Sequence, residues 1–182
     1  DCDFIKADFM NIPVPDATYD AVYQIEATCH APDAVGCYSE IFRVLKPGGV
    51  LASYEWCLTD EYDPKDEEHR KIRQEILIGN GLPTARHTSE VLAALKKAGF
   101  EVTEEADLVK PADVPWYEPI DPDRSWRPWR DFWSFKTTSW GRNITHYLVL
   151  LLETVGIAPK GSMGVSGFLK KGADGLVAGG KK

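Results

Sequence analysis

Short apolar runs alternate with a segment of helical periodicity in the first half of the chain. Residues 4–7, 21–25 and 50–54 are apolar runs of strand length. Between the second and third runs, apolar residues recur at the spacing of one helix face: Ala34, Tyr38, Ile41, Phe42 and Leu45. A strand, a helix and a strand at this spacing predict a βαβ unit, in which the two strands are parallel.

Turn and capping residues set the bounds of the predicted helices. The Lys-Pro-Gly-Gly segment at 46–49 is expected to end the first helix and turn the chain. Asp63 is expected to cap a second helix and Thr88 a third, which Gly99 closes. Residues 100–106 then resemble another strand, although two glutamates interrupt the alternation.

The character of the chain changes near residue 108, so we predict two parts, 1–108 and 109–182. The second part opens with an irregular segment rich in Pro, Trp and Asp. An amphipathic helix is predicted at 142–155, and the Gly- and Lys-rich tail from Gly172 is expected to fray.

Composition excludes several classes of function. The 182 residues carry a formal charge of -7, which argues against nucleic-acid binding because phosphate contacts need clustered Lys and Arg. The longest apolar run, at 147–152, is far shorter than the roughly 20 residues that span a bilayer. No metal site is predicted, since the cysteines lack Cys-x-x-Cys spacing and read as free thiols: Cys2, Cys29, Cys37 and Cys57. We interpret Cys29 and Cys57 as packing residues.

Reactive side chains follow two of the predicted strands. The second strand runs into Glu26 and His30, and the third runs into Glu55 and Asp60. The carboxyl ends of parallel strands meet at one edge of a sheet, where ligands bind in open α/β folds. The alternatives are ordinary ones: a solvated acid at the rim for Glu26, and a helix-cap contact for His30.

Aromatic residues near these positions predict a flat apolar slot. They are Tyr23, Tyr54, Trp56, Trp116 and Tyr117. Tyr23 and Tyr54 also fit a core role, because they lie inside strands. Further tryptophans raise the aromatic density of the second part, which fits either a large apolar ligand or a buried helical face: Trp126, Trp129, Trp133 and Trp140.

Two motifs carry a family resemblance, Ile-Glu-Ala-Thr-Cys-His-Ala-Pro at 25–32 and Tyr-Glu-Trp-Cys at 54–57. With Lys-Ala-Asp-Phe at 6–9 and Ala-Pro-Lys-Gly-Ser at 158–162, they make the chain closely similar to sterol 24-C-methyltransferases. These enzymes use S-adenosylmethionine to alkylate the side chain of Δ24-sterols. The resemblance implies an α/β fold: a partial Rossmann-like class I methyltransferase sheet with flanking helices, followed by a mostly helical, aromatic-rich C-terminal region.

The resemblance also implies a cofactor site. Ala7, Asp8 and Phe9 lie where family members contact the adenine, and Ile25 and Glu26 are expected beside the cofactor. The alternative for Asp8 is an Asx-turn ahead of a proline. The family's glycine-rich loop has no counterpart before Asp8, so we expect a fragment with an incomplete cofactor site.

The implied reaction assigns roles to the acids. Attack of an alkene on a sulfonium methyl group leaves a carbocation that must be stabilised and then lose a proton. Glu26 and Glu55 are expected to stabilise the charge, and His30 is the candidate base, with Asp60 a further catalytic candidate. The aromatic faces would help to stabilise the cation.

The function predicted from the resemblance is methyl transfer to C24 of a sterol. Two alternatives stay open, a non-catalytic sterol- or lipid-binding fragment and a methyltransferase for another terpenoid or a quinone. The expected location is peripheral, on the cytoplasmic face of the endoplasmic reticulum or on a lipid droplet, and a homo-oligomer is left open.

Overall fold

The computed structural model describes residues 2–109, 113–123 and 132–182, apart from the side chains of 132–134. These residues form two strands and five α-helices, in chain order β1 (Tyr19–Ile25), α1 (Ala34–Val44), β2 (Leu45–Tyr54), α2 (Glu67–Asn80), α3 (Thr88–Ala98), α4 (Ser139–Thr154) and α5 (Ser162–Gly180). The chain divides into two compact units, one of Asp1–Tyr62 with Pro83–Ala106 and one of Asp63–Leu82 with Asp107–Lys182. The division of the sequence at residue 108 stays a prediction.

The first unit contains the predicted βαβ unit. β1 and β2 are parallel and in register from Ala21, opposite Val50, to Ile25, opposite Tyr54. α1 connects them and begins after Asp33, whose carboxylate accepts the Val35 N–H at 3.0 Å. The parallel pair and its crossover helix are therefore confirmed.

The Lys-Pro-Gly-Gly segment is part of β2, so the prediction that it turns the chain is wrong. Tyr19 pairs with Leu45 and Ala21 pairs with Val50, so residues 46–49 form an irregularity inside the strand. Gly48 takes φ 79°, a left-handed conformation that glycine adopts without strain. Glycine thus lets the strand absorb the extra residues and resume its pairing.

The core of the first unit lies between α1, α3 and the sheet. Its fully packed residues are Ala31, Cys37, Tyr38, Ile41, Leu45 and Ala94. Phe42 and Phe100 meet edge to face at 5.2 Å between ring centroids. The helical periodicity therefore identifies Tyr38 and Ile41 on the buried face of α1 correctly. Phe42 is instead 46% exposed, and the pattern does not predict the buried Cys37 and Val44.

Two predicted strands of this unit do not form. Residues 4–7 and 100–106 have no strand pairing, and the Phe4 side chain is 98% exposed. A strand needs a hydrogen-bonded neighbour, and no described residue supplies one to either segment. α3 begins at Thr88, so its cap is His87, one residue before the expected one; the His87 N–H donates to the Glu90 carboxylate at 2.7 Å.

The second unit is helical. α2 follows Asp66 and not Asp63, because the Asp66 carboxylate accepts the N–H groups of Glu68 and His69 at 2.7 and 3.1 Å. α4 begins three residues before its predicted start. The prediction that the tail from Gly172 frays is wrong, since α5 is helical to Gly180.

Close packing against α2 explains why the glycine-rich tail is ordered. Gly172 and Gly175 of α5 are buried, and Gly79 of α2 lies so close that a Cβ on Gly172 would sit 2.8 Å from the Gly79 Cα. The glycines that suggest fraying are the residues that allow the two helix backbones to touch. Arg142 of α4 adds an ion pair with Asp174 at 2.6 Å.

Candidate active site

Glu26 stands directly after β1 in a strained backbone conformation. Its φ is 51°, in the left-handed region that residues with a side chain seldom adopt. The Glu26 N–H donates to the Tyr54 carbonyl at 2.8 Å, which fixes the end of β1 to the end of β2. The Glu26 side chain is exposed, so its carboxylate is open to a ligand at this edge.

A short 3-10 turn, Thr28–His30, follows Glu26 and is held by a buried glutamine of β1. The Gln24 side chain, 9% exposed, accepts the N–H groups of Ala27 and Thr28 at 3.0 and 3.4 Å. Its amide nitrogen donates to the Ser53 hydroxyl of β2. One side chain thus ties the turn to both strands.

Glu55, directly after β2, is directed at the same turn. Its Oε1 accepts hydrogen bonds from the Thr28 hydroxyl and from the Cys29 N–H, the latter at 3.1 Å. Its Oε2 is buried and finds no hydrogen-bond partner in the part of the chain that the structure describes. The two acids therefore differ, since Glu26 is exposed and Glu55 is engaged with the backbone beside it.

The groups around Glu55 are protonated at neutral pH. Burial, with the Glu55 charge as the next cause, raises the pKa of the Cys29 thiol to about 12 and that of Cys37 to about 11. Burial also raises the pKa of Tyr38, whose hydroxyl lies 3.1 Å from the Thr28 hydroxyl, and the pKa of Cys57. Neither Cys29 nor Cys57 is a thiolate nucleophile here, which agrees with their interpretation as packing residues.

The other two catalytic candidates lie in different settings. His30 ends the turn with an exposed side chain four residues after Glu26. Asp60 has a fully exposed side chain, and its carboxylate lies 3.5 Å from the Nε2 of His87, which precedes α3. The structure thus gives His30 an open position on the turn and Asp60 a contact with His87. Their catalytic roles remain predictions.

The adenine candidates Ala7, Asp8 and Phe9 are all exposed. One carboxylate oxygen of Asp8 accepts the Met10 N–H at 2.9 Å, so the Asx-turn weighed for this residue does form. Asp8 and Phe9 are both exposed, so the carboxylate and the ring are accessible to solvent. An accessible carboxylate and an exposed ring fit an aminopurine, so the adenine end of S-adenosylmethionine suits these residues. Ile25, the neighbour of Glu26, is exposed too.

The strand aromatics are exposed and do not form the core. Tyr23 is 79% exposed, and Tyr54 and Trp56 are also solvent-accessible. In the second unit, Trp116 and Tyr117 meet edge to face at 5.9 Å between centroids. Trp126 and Trp129 lie outside the described residues.

Sequence reasoning missed the residues that hold the turn, namely Gln24, Thr28, Tyr38 and Ser53. The available signal was Gln24, a large polar residue in the middle of an apolar strand. Such a residue is either exposed or buried with its amide satisfied. The structure shows the second case.

Within residues 2–109, 113–123 and 132–182, no helix is both long and apolar enough to cross a bilayer. These residues also hold no group of three or more His, Cys, Asp and Glu side chains arranged to bind a metal ion.

Two family profiles match the sequence. Residues 1–53 match a methyltransferase domain, and residues 132–182 match the sterol methyltransferase C-terminal family. The first match covers the motif at 25–32 and ends just before the motif at 54–57, and the second covers α4 and α5.

Curated relatives match the whole chain. It is 57% identical over 181 residues to cycloartenol-C-24-methyltransferase 1 of Oryza sativa subsp. japonica, covering 100% of this chain and 51% of the relative. It is 46% identical over 184 residues to a sterol 24-C-methyltransferase of Saccharomyces cerevisiae, covering 98% of this chain and 48% of the relative. The chain spans about half the length of the curated relatives it matches.

Solved structures share the fold at low sequence identity. A protein from Galdieria sulphuraria described as a sarcosine dimethylglycine methyltransferase superposes with TM-score 0.56 at 20% identity, covering 96% of this chain and 52% of that one. The cyclase SpnF superposes with TM-score 0.53 at 22% identity, covering 94% and 49%. With the methyltransferase profile, these neighbours confirm the predicted class I methyltransferase fold. By the identities to its curated relatives, the whole chain is similar to the matching half of sterol and cycloartenol C24-methyltransferases.

Proposed function

We propose that the protein containing this chain transfers a methyl group from S-adenosylmethionine to C24 of a sterol side chain. The observation that carries the proposal is identity of 46–57%, sustained over 98–100% of the chain, to proteins named as C24-methyltransferases of sterols or cycloartenol. Residues 25–32 and 54–57, which surround both strand ends, lie inside these matches.

The proposed reaction places two demands on the protein. S-Adenosylmethionine, when bound, supplies an electrophilic methyl group. When the alkene carbon bonds to that methyl, the sulfur–methyl bond would break and S-adenosylhomocysteine would leave as a neutral thioether. The sterol side chain would then carry the positive charge and return to neutrality by losing one proton. The protein must therefore hold negative charge or aromatic faces near the side chain and provide a proton acceptor.

Glu26 and His30 suit these demands best by position. Glu26 offers an exposed carboxylate on a backbone fixed by a hydrogen bond to Tyr54, so its charge is held in place. His30 offers an exposed imidazole on the turn that follows. We assign charge stabilisation to Glu26 and proton removal to His30, with Asp8 and Phe9 at the adenine.

Exposed apolar side chains at the strand ends support a sterol as the substrate. Tyr23, Ile25, Tyr54 and Trp56 all leave a large part of their surface accessible. Exposed apolar groups clustered at one edge are typical of a binding surface. A rigid apolar ring system would cover them.

We extend the proposal to a peripheral membrane location, on the endoplasmic reticulum or a lipid droplet. It is supported by the apolar side chains that α4 leaves exposed, among them Trp140, Ile144, Tyr147 and Leu151. An amphipathic helix of this kind can lie in a lipid interface without spanning it.

The direct test is turnover by the full protein that contains this chain. Purified protein is incubated with S-adenosylmethionine labelled in its methyl group and with cycloartenol, zymosterol, a linear terpenoid or a quinone. Label appearing in a C24-alkylated sterol supports the proposal. Label found only in the terpenoid or the quinone would show that the enzyme acts on another substrate class. Sterol binding without any methyl transfer would favour a lipid-binding protein.

A further inference from the structure

Glu55 looks at first like a second acid for the carbocation, because it follows β2 as Glu26 follows β1. Its contacts argue otherwise. The Glu55 Oε1 accepts from the Thr28 hydroxyl and from the Cys29 N–H at 3.1 Å. Its Oε2 is closed off from solvent. A carboxylate in this arrangement does not face a ligand at the open edge.

The turn that Glu55 holds follows Glu26 and ends at His30. Thr28 and Cys29 are its first two residues, and Gln24 secures its start through the N–H groups of Ala27 and Thr28. Without Glu55, the Cys29 N–H and the Thr28 hydroxyl lose their shared acceptor. The backbone between Glu26 and His30 would then keep its hydrogen bonds to Gln24 but lose those to Glu55.

The geometry points to Glu55 as a positioning residue, which fixes the Thr28–His30 turn through its hydrogen bonds and does not touch the reacting sterol. This inference rests on the proposed function for its kinetic consequence. A displacement of about 1 Å in a catalytic group can cost about a hundredfold in rate. Glu55 therefore contributes to turnover through its acceptor oxygen and not through its charge.

The first test separates acceptor from charge. In the full protein, Glu55→Gln keeps a carbonyl oxygen for Thr28 and Cys29 but removes the charge, so kcat should stay within about threefold of wild type. Glu55→Ala removes the acceptor, and kcat should fall by about a hundredfold. If Glu55 stabilised the carbocation directly, Glu55→Gln would itself lower kcat by about a hundredfold or more, and the inference would be overturned.

A second pair of variants covers the case in which Glu55→Ala does not fold. Thr28→Ser keeps the hydroxyl that donates to Glu55, and Thr28→Val removes it. Turnover should survive the first change and fall about tenfold in the second, and the double variant Glu55→Ala with Thr28→Val should be no slower than Glu55→Ala alone. If the fold decreases in kcat of the two single variants multiply in the double variant, Glu55 acts independently of the turn.

A third measurement does not depend on activity. Amide hydrogen exchange of Cys29 should become about tenfold faster in Glu55→Ala and stay unchanged in Glu55→Gln, since only the former loses the acceptor. Unchanged exchange in Glu55→Ala would refute the positioning role. Glu101→Ala, at an exposed glutamate of the same unit, is the matched control and should alter neither exchange nor turnover. Wild-type protein that methylates no sterol would refute the proposed function, while the exchange experiment would still decide the role of Glu55.

Discussion

Two residues with side chains adopt nearly the same left-handed backbone conformation, Glu26 at φ 51° and Ala17 at φ 52°. Each also donates its N–H to a carbonyl, Glu26 to Tyr54 at 2.8 Å and Ala17 to Arg43 at 2.9 Å. Such conformations cost about 1–2 kcal/mol for a residue other than glycine. The same substitution at both positions can therefore distinguish the effect of backbone strain from the effect of the Glu26 carboxylate.

Replacing either residue with glycine should relieve its strain. Glu26→Gly and Ala17→Gly should each raise the free energy of unfolding by up to about 1 kcal/mol, measured by urea titration. Only Glu26→Gly should lose turnover, by about a hundredfold in the full protein, and Glu26→Gln should lose as much with unchanged stability. Near-normal kcat in Glu26→Gln would remove this residue from the proposed charge stabilisation.

Thiol reactivity provides a second prediction for single residues. Burial raises the pKa of Cys37 to about 11, so at pH 8 only about one thiol in a thousand is ionised, against about a quarter for an ordinary cysteine. In native protein at pH 8, iodoacetamide should modify exposed Cys2 rapidly and leave Cys37 and Cys29 unmodified. Mass spectrometry of peptides measures this, and labelling in 6 M urea provides the control. Native labelling of Cys37 at the rate of Cys2 would contradict the burial of this thiol.

The same raised pKa has a consequence for stability. The folded protein favours the protonated Cys37 thiol, so its contribution is complete below the pKa of an unfolded cysteine and is lost as the pH rises toward 11. The free energy of unfolding should therefore fall between about pH 9 and 11. The decrease should be smaller in Cys37→Ala, and equal slopes in the two proteins would contradict the prediction.

At the scale of elements, the contact of α2 with α5 depends on missing side chains. A Cβ on Gly79 would overlap the backbone of Gly172, whereas a Cβ on Gly164, also in α5, would meet nothing within 4 Å. Glycine lowers helix stability wherever it is not needed. The glycines of α5 thus have opposite effects, depending on whether α2 lies against them.

Alanine substitution should expose that difference. Gly79→Ala should lower the free energy of unfolding by about 1–3 kcal/mol, because the helices must move apart. Gly164→Ala should raise it by up to about 1 kcal/mol through helix propensity alone. Thermal and urea unfolding followed by circular dichroism measure both, and equal effects of the two changes would contradict the close helix contact.

At the scale of the whole molecule, the described residues leave much apolar surface uncovered. In the second unit, Trp140 is 78% exposed, and Tyr147 lies two turns further along α4 and is also exposed. Large apolar side chains in water are costly when they are clustered, and such a face is typical of a surface that binds a lipid, a ligand or a protein partner.

Lipid binding should depend on those two aromatics. The full protein should float with vesicles of phosphatidylcholine and phosphatidylinositol, and Trp140→Ala with Tyr147→Ala should lower its partition coefficient by about tenfold or more. Thr145→Ala, at an exposed polar position of the same helix, should leave flotation unchanged. If the double variant instead changes only the sedimentation coefficient, the face joins copies of the protein.

The sequence predicts the elements that are stabilised by local signals. Helical periodicity and capping residues locate α1 and α3 within one or two residues, and the βαβ spacing predicts the parallel pair. Residues 4–7 and 100–106 fail as strands because strand formation depends on a neighbour that a local pattern does not reveal. The order of α5 is missed for the same reason, since its buried glycines are explained by residues of α2, Gly172 by Gly79 and Gly175 by Glu75 and Ile76.

The sequence predicts that Glu26 and Glu55 directly follow the two strands, but not the direction in which their carboxylates point. The end of each strand is identified by the acid that follows it, so Glu26 and Glu55 are found. Whether a carboxylate points to solvent or to a backbone N–H depends on tertiary contacts, here those with Thr28 and Cys29. Gln24 is missed because its importance lies in three hydrogen-bond partners that a local pattern does not reveal: the Ser53 hydroxyl on the other strand and two N–H groups of the turn.

The hydrogen bonds between the two strand ends make them one thermodynamic unit. The Glu26 N–H binds the Tyr54 carbonyl, and Glu55 binds the Cys29 N–H, so each strand end holds the other. A ligand that orders the end of β1 therefore pre-organises the end of β2, and the second ligand loses less conformational entropy on binding. Linkage makes this effect reciprocal: methyl donor and acceptor should each raise the affinity for the other by the same factor, and breaking the Glu55 contact should bring that factor toward one.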